Sequence, residues 1–359
     1  MNTRQTAVLS SGFFAGNGLH AIVDGQYGST GKGLMASFLA ELFDGYPVGA
    51  VTSNAGPNSG HTFYWKGQKI VLRQLPSFGV YQSLETGGKS APIYMNAGAI
   101  IDPEVLIEEV AKYLHPDTVV YLHPLAAVVD NAAVEEEKNL VSDVGSTGKG
   151  TGAALAAKVM RGPKATIGSV AQNFTWPKNV RIERRTPDAA SDKVVMEVSQ
   201  GFSLGLNAGF YPYCTSRDCT VGAAMSDAQI HPRLYRSCAM VVRTFPIRVA
   251  GNSGPCYPDQ QELSWEELGQ TPEKTTVTNK VRRVFNWSTM QFMDACAANK
   301  PDLVMVNFMN YLDPDKVCHD TWLKENVIRP YISVMGMKPT LLLGFGPENK
   351  DVLVHEVTR

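Results

Sequence analysis

The sequence carries almost no net charge. Thirty-three basic residues stand against thirty-four acidic ones over 359 positions, a formal charge of −1. That balance gives no support to a duplex-binding surface, which gathers positive charge to displace counterions. A local basic groove for a small polyanion stays compatible with it, because net charge does not report clustering. Long apolar runs are also missing, and no stretch approaches the roughly eighteen residues that cross a bilayer. The opening MNTRQTAVLSSGFFAGNGLHA has one arginine and a short apolar run. A flexible or loosely docked N-terminal arm is expected there in preference to a signal peptide, because the next segment reads as a first core strand. The cysteines Cys214, Cys219, Cys238, Cys256, Cys296 and Cys318 contain no CxxC and no zinc-site spacing. Buried free thiols in a reducing, cytoplasmic compartment are expected.

Glycine, by contrast, is plentiful and gathered into loops. Residues 20–24, HAIVD, form a short strand that runs into GQYGSTGKG, and LMASFLAELF then has apolar groups at helical spacing. A second strand, VGAVTS, precedes the loop NAGPNSGHT. Residues 101–114, IDPEVLIEEVAKYL, read as an amphipathic helix with proline in its first turn, followed by the apolar strand of TVVYLHPLAAVVD. Residues 131–152 are polar and deliver a second GSTGKG, while the charged 178–193 reads as a surface excursion. VVMEV, AMVVRTFPIRV, DLVMVNFMNYL and 333–344 supply further strands. This alternation predicts an α/β fold, a mostly parallel central sheet flanked by helices. Residues 1–359 are read as one catalytic domain, with 251–272 a long loop over the site.

GSTGKG occurs twice, at 28–33 and 145–150. In the first, glycines let several N–H groups converge before a helix N-terminus, and Lys32 adds a point charge, an arrangement suited to phosphate. It is not a Walker A loop, because Gln26 stands where glycine belongs and Gly33 where Ser or Thr belongs. A purely structural glycine turn is the competing reading. The second segment offers Ser146, Thr147, Lys149 and Thr151, which suit a monophosphate, or form a solvated loop. His61 ends a stiff polar loop and either stabilises developing negative charge or caps the loop. Asp24 either meets Mg²⁺, serves as a base, or only orders the turn. Around 273–283, threonines beside Lys280, Arg282 and Arg283 suit a carboxylate, or form a basic surface strand. Unaided, these features indicate a phosphate-using enzyme with an anionic second substrate.

The ordered set of loops resembles the adenylosuccinate synthetase family over most of the chain. The pieces are GSTGKG at 28–33, PNSGHT at 57–62, LPSFG at 75–79, GSTGKG at 145–150 and QGF at 200–202. They continue with YPYCTSRDCT at 211–220, IRV at 247–249, TTVTNKVRR at 275–283 and NFMN at 307–310. The resemblance implies a homodimeric ligase that phosphorylates O6 of a purine monophosphate with Mg²⁺ and lets the amine of aspartate displace phosphate at C6. By position it implies that Gly28, Ser29, Thr30, Gly31, Lys32 and Gly33 hold the triphosphate, together with Asn310, Gly346 and Pro347. Catalysis falls to Ser29, Lys32 and His61, and the metal to Ser29 and the Gly60 carbonyl. Asn58, Ser146, Thr147, Gln200 and Thr215 would meet the acceptor nucleotide, with Arg161 reaching its phosphate across the dimer. Thr276, Val277, Thr278, Lys280 and Arg282 fall on the aspartate loop, which is two residues longer here than in the family.

Two departures stand out. The family's catalytic aspartate is Ser29 here, and the aspartate of its guanine-reading TKxD element is Asn310, with Phe308 in place of lysine. Losing the guanine acceptor removes the reason to prefer a guanine triphosphate, so ATP or dATP is expected. Losing charge and bulk at Ser29 makes room for a 2-amino purine. Both changes resemble the phage-type branch of the family, which implies dGMP as acceptor, ahead of IMP. A nucleotide-binding regulator without turnover is the other reading. No nucleic acid or membrane partner is expected.

Overall fold

The structure is a computed structural model that describes residues 3–44, 48–275, 279–313, 315 and 317–355. Ten strands form its main sheet. They are β1 (Gly18–Asp24), β2 (Ala50–Ser53), β3 (Ile93–Met95), β4 (Val120–Leu122), β5 (Val180–Ile182), β6 (Lys193–Glu197), β7 (Tyr235–Arg243), β8 (Leu303–Asn307), β9 (Thr340–Gly344) and β10 (Val352–His355). Their order is β10-β9-β8-β7-β1-β6-β2-β3-β4-β5. Every neighbouring pair is parallel except β9–β10, which is antiparallel. Apolar clusters cover both faces, as a parallel sheet requires.

β1 lies between β6 and β7, and the chain continues outward to either side of it. A crevice beyond the carboxyl end of such a strand is where open α/β sheets place their ligands. The strand passes directly into the glycine loop and then helix α1 (Lys32–Leu42), which is buried along nearly its whole length.

Three expectations need correction. The N-terminal arm is neither flexible nor loosely docked: Val8, Phe13 and Phe14 are buried, and Phe14 stacks on His20 with ring centroids 5.2 Å apart. The charged 178–193 segment is more than a surface excursion, since it contributes β5, the parallel partner of β4 at the sheet edge. Its polarity suits an edge strand, which charge protects from further pairing. Of 251–272, only Ser253 borders the central cavity, so that loop does not cover the site. The cysteines are free; Cys219, Cys238 and Cys296 are buried, but Cys318 is exposed. Among the described residues no helix is long and apolar enough to cross a membrane.

Candidate functional site

A cavity of about 1160 Å³ opens beyond the carboxyl end of β1. Its first wall is the loop 28–33. Gly28, Ser29 and Gly31 all take positive φ, 82°, 56° and 93°, which folds the loop into a tight turn. Asp24 is the organiser of this turn. Its Oδ1 accepts from the N–H groups of Gln26 (2.9 Å) and Gly28 (3.2 Å), and its Oδ2 from the Thr30 hydroxyl at 2.5 Å. Lys32 Nζ sits 3.6 Å from Asp24 Oδ2 and donates to the Gln200 carbonyl at 2.6 Å. Both oxygens of Asp24 thus accept hydrogen bonds from the turn, which favours its reading as an ordering group.

The departures from Walker A have local explanations. A Cβ on Gly33 would lie 2.4 Å from the Thr62 carbonyl oxygen, so a larger residue cannot follow Lys32 without moving the neighbouring hairpin. Gln26 uses its side-chain amide to hold the backbone of Arg243, accepting from its N–H at 2.9 Å and donating to its carbonyl at 3.1 Å.

The second GSTGKG forms the facing wall. Gly145, Gly148 and Gly150 have positive φ, and the helix α2 (Thr151–Val159) starts after Gly150. A carboxylate already fills its N-terminus: Glu137 accepts from the N–H groups of Gly150 (2.8 Å), Gly152 and Ala153 (3.2 Å). Composition gave no hint of this cap. Ser146, Thr147, Lys149 and Thr151 line the cavity, and the buried Thr151 hydroxyl has no hydrogen-bond partner.

Between the walls lie Asn58, Gly60, His61, Gln200 and Thr215. Asn58 Nδ2 is 3.5 Å from the Thr215 hydroxyl, and the Gln200 side-chain nitrogen is buried and unpartnered. His61 is buried, and desolvation, helped by Lys32, pulls its pKa down to about 3, so the ring is neutral in the free site. Arg217, which the sequence reading passed over, holds this loop from behind. Its Nη1 donates to the carbonyls of Asn54 (2.6 Å) and Gly98 (2.9 Å) and faces Asp227 at 3.7 Å.

Lys280 and Arg282 border the same cavity, as do Asn310, Gly346 and Pro347. Thr276, Val277 and Thr278 lie outside the described residues. Arg161 does not border the cavity; it is exposed just past α2, beside Val159 and Met160, which are 68% and 80% exposed. Phe308 was seen only as a missing lysine, yet its ring lines the cavity with Arg243 3.7 Å from its centroid.

Among the described residues no three His, Cys, Asp or Glu side chains come together as a metal cage. The three carboxylates on the cavity wall, Asp24, Glu137 and Glu273, are each engaged by protein donors. The exposed Ser29 hydroxyl and Gly60 backbone fit a Mg²⁺ that arrives on phosphates and keeps phosphate and water ligands.

The chain matches the adenylosuccinate synthetase family over residues 21–184 and 184–332. It is 39% identical to the N6-succino-2-amino-2'-deoxyadenylate synthase of Vibrio phage phiVC8, across 93% of this chain and 97% of that protein. Among solved structures it resembles the succinoaminodeoxyadenylate synthetase (PurZ) of cyanophage S-2L, described as bound to dGMP and to dATP as an energy donor. The TM-score there is 0.81 and the identity 32%, covering 94% and 95% of the two chains. Plasmodium falciparum adenylosuccinate synthetase shares the fold at a TM-score of 0.75 and 19% identity, over 95% of this chain and all of that one.

Proposed function

The chain belongs to the adenylosuccinate synthetase family, and from that premise we propose that it is a ligase joining L-aspartate to C6 of dGMP. An adenine nucleoside triphosphate, ATP or dATP, supplies the phosphoryl group. Its γ-phosphoryl passes to O6 of the purine, and the aspartate amine then displaces phosphate at C6. The products are 2-amino-2'-deoxyadenylosuccinate, the nucleoside diphosphate and phosphate.

The observation that carries this reading is the pairing of Ser29 and Asn310 in one cavity that is also lined by Lys32, His61, Gln200 and Lys280. Ser29 presents a small neutral hydroxyl where the family has a carboxylate, leaving space beside the purine for a 2-amino group. Asn310 offers an amide where a carboxylate would select guanine, because a carboxylate sets two acceptor oxygens side by side for the guanine N1–H and 2-amino group, whereas an amide puts a donor in one of those places. The cyanophage S-2L relative, described as bound to dGMP and to dATP as an energy donor, and the Vibrio phage relative, named for a 2-amino-2'-deoxyadenylate product, support the same choice.

The chain's own groups divide the work. Lys32 and the N–H groups of 28–33 neutralise the transferring phosphoryl group. The neutral His61 donates a hydrogen bond to the oxygen that gains charge. The Ser29 hydroxyl and the Gly60 carbonyl would hold a Mg²⁺ brought in with the triphosphate, which would supply positive charge to the phosphates. Ser146, Thr147, Asn58, Thr215 and Gln200 hold the acceptor, while Lys280 and Arg282 take the carboxylates of aspartate. Both oxygens of Asp24 already accept hydrogen bonds from the turn, so we assign removal of the N1 proton to water, aided by the rising acidity of the purine as O6 is phosphorylated. The exposed Arg161, which follows the exposed apolar Val159 and Met160, would enter the partner's acceptor site in a homodimer.

The test crosses dGMP, GMP and IMP with ATP, dATP and GTP in the presence of aspartate and Mg²⁺, and reads the adduct by mass. An adduct from dGMP with an adenine triphosphate is expected. Product from IMP and GTP alone would return the chain to adenylosuccinate synthesis, and binding without any adduct would make it a regulator.

A further inference from the structure

Arg243 ends β7 and is completely buried, a costly place for a charge unless it is paired and hydrogen-bonded. Its contacts reach three separate walls of the cavity. Nη1 donates to the Ser29 carbonyl at 3.1 Å. Nη1 and Nη2 together hold the Glu273 carboxylate, at 3.3 and 2.5 Å, and the Tyr311 hydroxyl donates to the same carboxylate at 3.0 Å. The guanidinium plane backs the Phe308 ring at 3.7 Å. At the other end the backbone of Arg243 is clamped by Gln26, as described above.

Glu273 is the foot of the loop that carries Lys280 and Arg282. Its carbonyl accepts from the Arg282 N–H at 2.9 Å, and the Lys280 carbonyl accepts from the Thr275 N–H at 2.9 Å. A shift of Ser29, whose φ of 56° is uncommon for a residue with a side chain, therefore moves an acceptor of Arg243. A shift of Arg243 moves the anchor of the second loop. One planar group with five donors can hold both at once, which an ammonium cannot.

We propose that Arg243 is a positioning residue that couples the triphosphate loop to the aspartate loop. Residues 28–33 settling around the triphosphate tighten aspartate binding through Glu273. The proposal rests on the aspartate-ligase reading above and adds a direction of communication between its two sites. By linkage, each ligand then strengthens the other by the same factor.

The experiment titrates aspartate into the full chain with dGMP present, with and without the β,γ-imido analogue of dATP, in wild type and in Arg243→Lys. In the wild type the analogue should tighten aspartate binding by about tenfold, a usual size for coupled sites. In Arg243→Lys that factor should fall towards one while affinity for the analogue alone changes by less than about threefold. In turnover, the aspartate KM should rise more than kcat falls. Equal coupling in the two proteins would overturn the proposal. Glu273→Gln, altered at the half-buried end of the pair, should show the same loss and serves if the lysine variant does not fold; full coupling in it would also overturn the proposal. A wild type that binds the analogue but never aspartate would instead sink the ligase reading, so the two failures are told apart.

Discussion

The same six letters, GSTGKG, build two different things in this molecule. At 28–33 they follow a buried strand, and α1 begins at the lysine itself. At 145–150 they follow a short helix, Lys138–Asp143, and α2 begins only after the last glycine. Ser29 is left-handed, whereas Ser146 is not. Lys32 is buried against Asp24, whereas Lys149 is only half-buried. The first helix N-terminus is open to a ligand, and the second already holds the carboxylate of Glu137. A motif of this length sets which turns are accessible; its flanks decide where the helix starts and which charge it meets. The first loop offers an open helix N-terminus with a buried ammonium, and the second offers hydroxyls beside a helix N-terminus already capped.

The sharpest way to break this contrast is to remove the lysines one at a time. Lys32→Ala should lower turnover by about a hundredfold or more, the usual loss of a charge that meets a developing anion. Lys149→Ala should raise the acceptor KM by about tenfold and leave kcat nearly intact, as loss of uniform binding does. Equal effects on kcat would show that the loops are interchangeable. Next in size is a change at the serines. Ser29→Asp should shift the ratio of dGMP to IMP use towards IMP by about ten- to a hundredfold, while Ser146→Asp should weaken both acceptors alike. Competition between the two nucleotides, read by adduct mass, measures it.

The smallest expected effect concerns pH. His61, beside the first loop, has its folded pKa lowered to about 3 by burial, and His20 has its own lowered to about 4 for the same reason. The unfolded chain takes up those protons first, so stability is lost as pH falls from about 6.5. Glu197 acts in the opposite sense, because burial raises its pKa to about 7. Its contribution is present at low pH and is lost as pH rises through 7. Denaturant midpoints of the free protein should therefore decline less between pH 7 and pH 5 in His61→Asn than in wild type, and more in Glu197→Gln. Parallel declines in all three would remove these groups from the account.

What the sequence made legible was local. The strand, glycine turn and helix of 20–42 announce themselves through a change of period and a glycine cluster, and most of the residues singled out as candidates line one cavity. What it hid were single charged side chains acting at a distance. Glu109 accepts from the N–H groups of Arg73, Gln74 and Leu75, and Glu197 accepts from that of Phe78, so two carboxylates hold the LPSFG loop from below. Glu137, Arg217 and Arg243 behave alike. A lone charge has no periodicity, and its partner is chosen by the tertiary fold. β3, β5 and β10 escaped as well: β5 and β10 lie at sheet edges where apolar alternation is weak, and the interior β3 is only three residues long.

Asn307 is wedged between two glycines. A Cβ on Gly31 would come within 2.3 Å of its side-chain nitrogen, and one on Gly344 within 1.9 Å of its oxygen, while that nitrogen donates to the Thr30 carbonyl at 2.8 Å. The gap between the end of β9 and the glycine loop at 28–33 is thus one amide thick. Gly31 is bound to its identity twice, by this gap and by its positive φ, but Gly344 is bound by the gap alone. A side chain at 344 would have to push the Asn307 amide off the Thr30 carbonyl, so a change at the end of β9 would be felt in the backbone of the glycine loop.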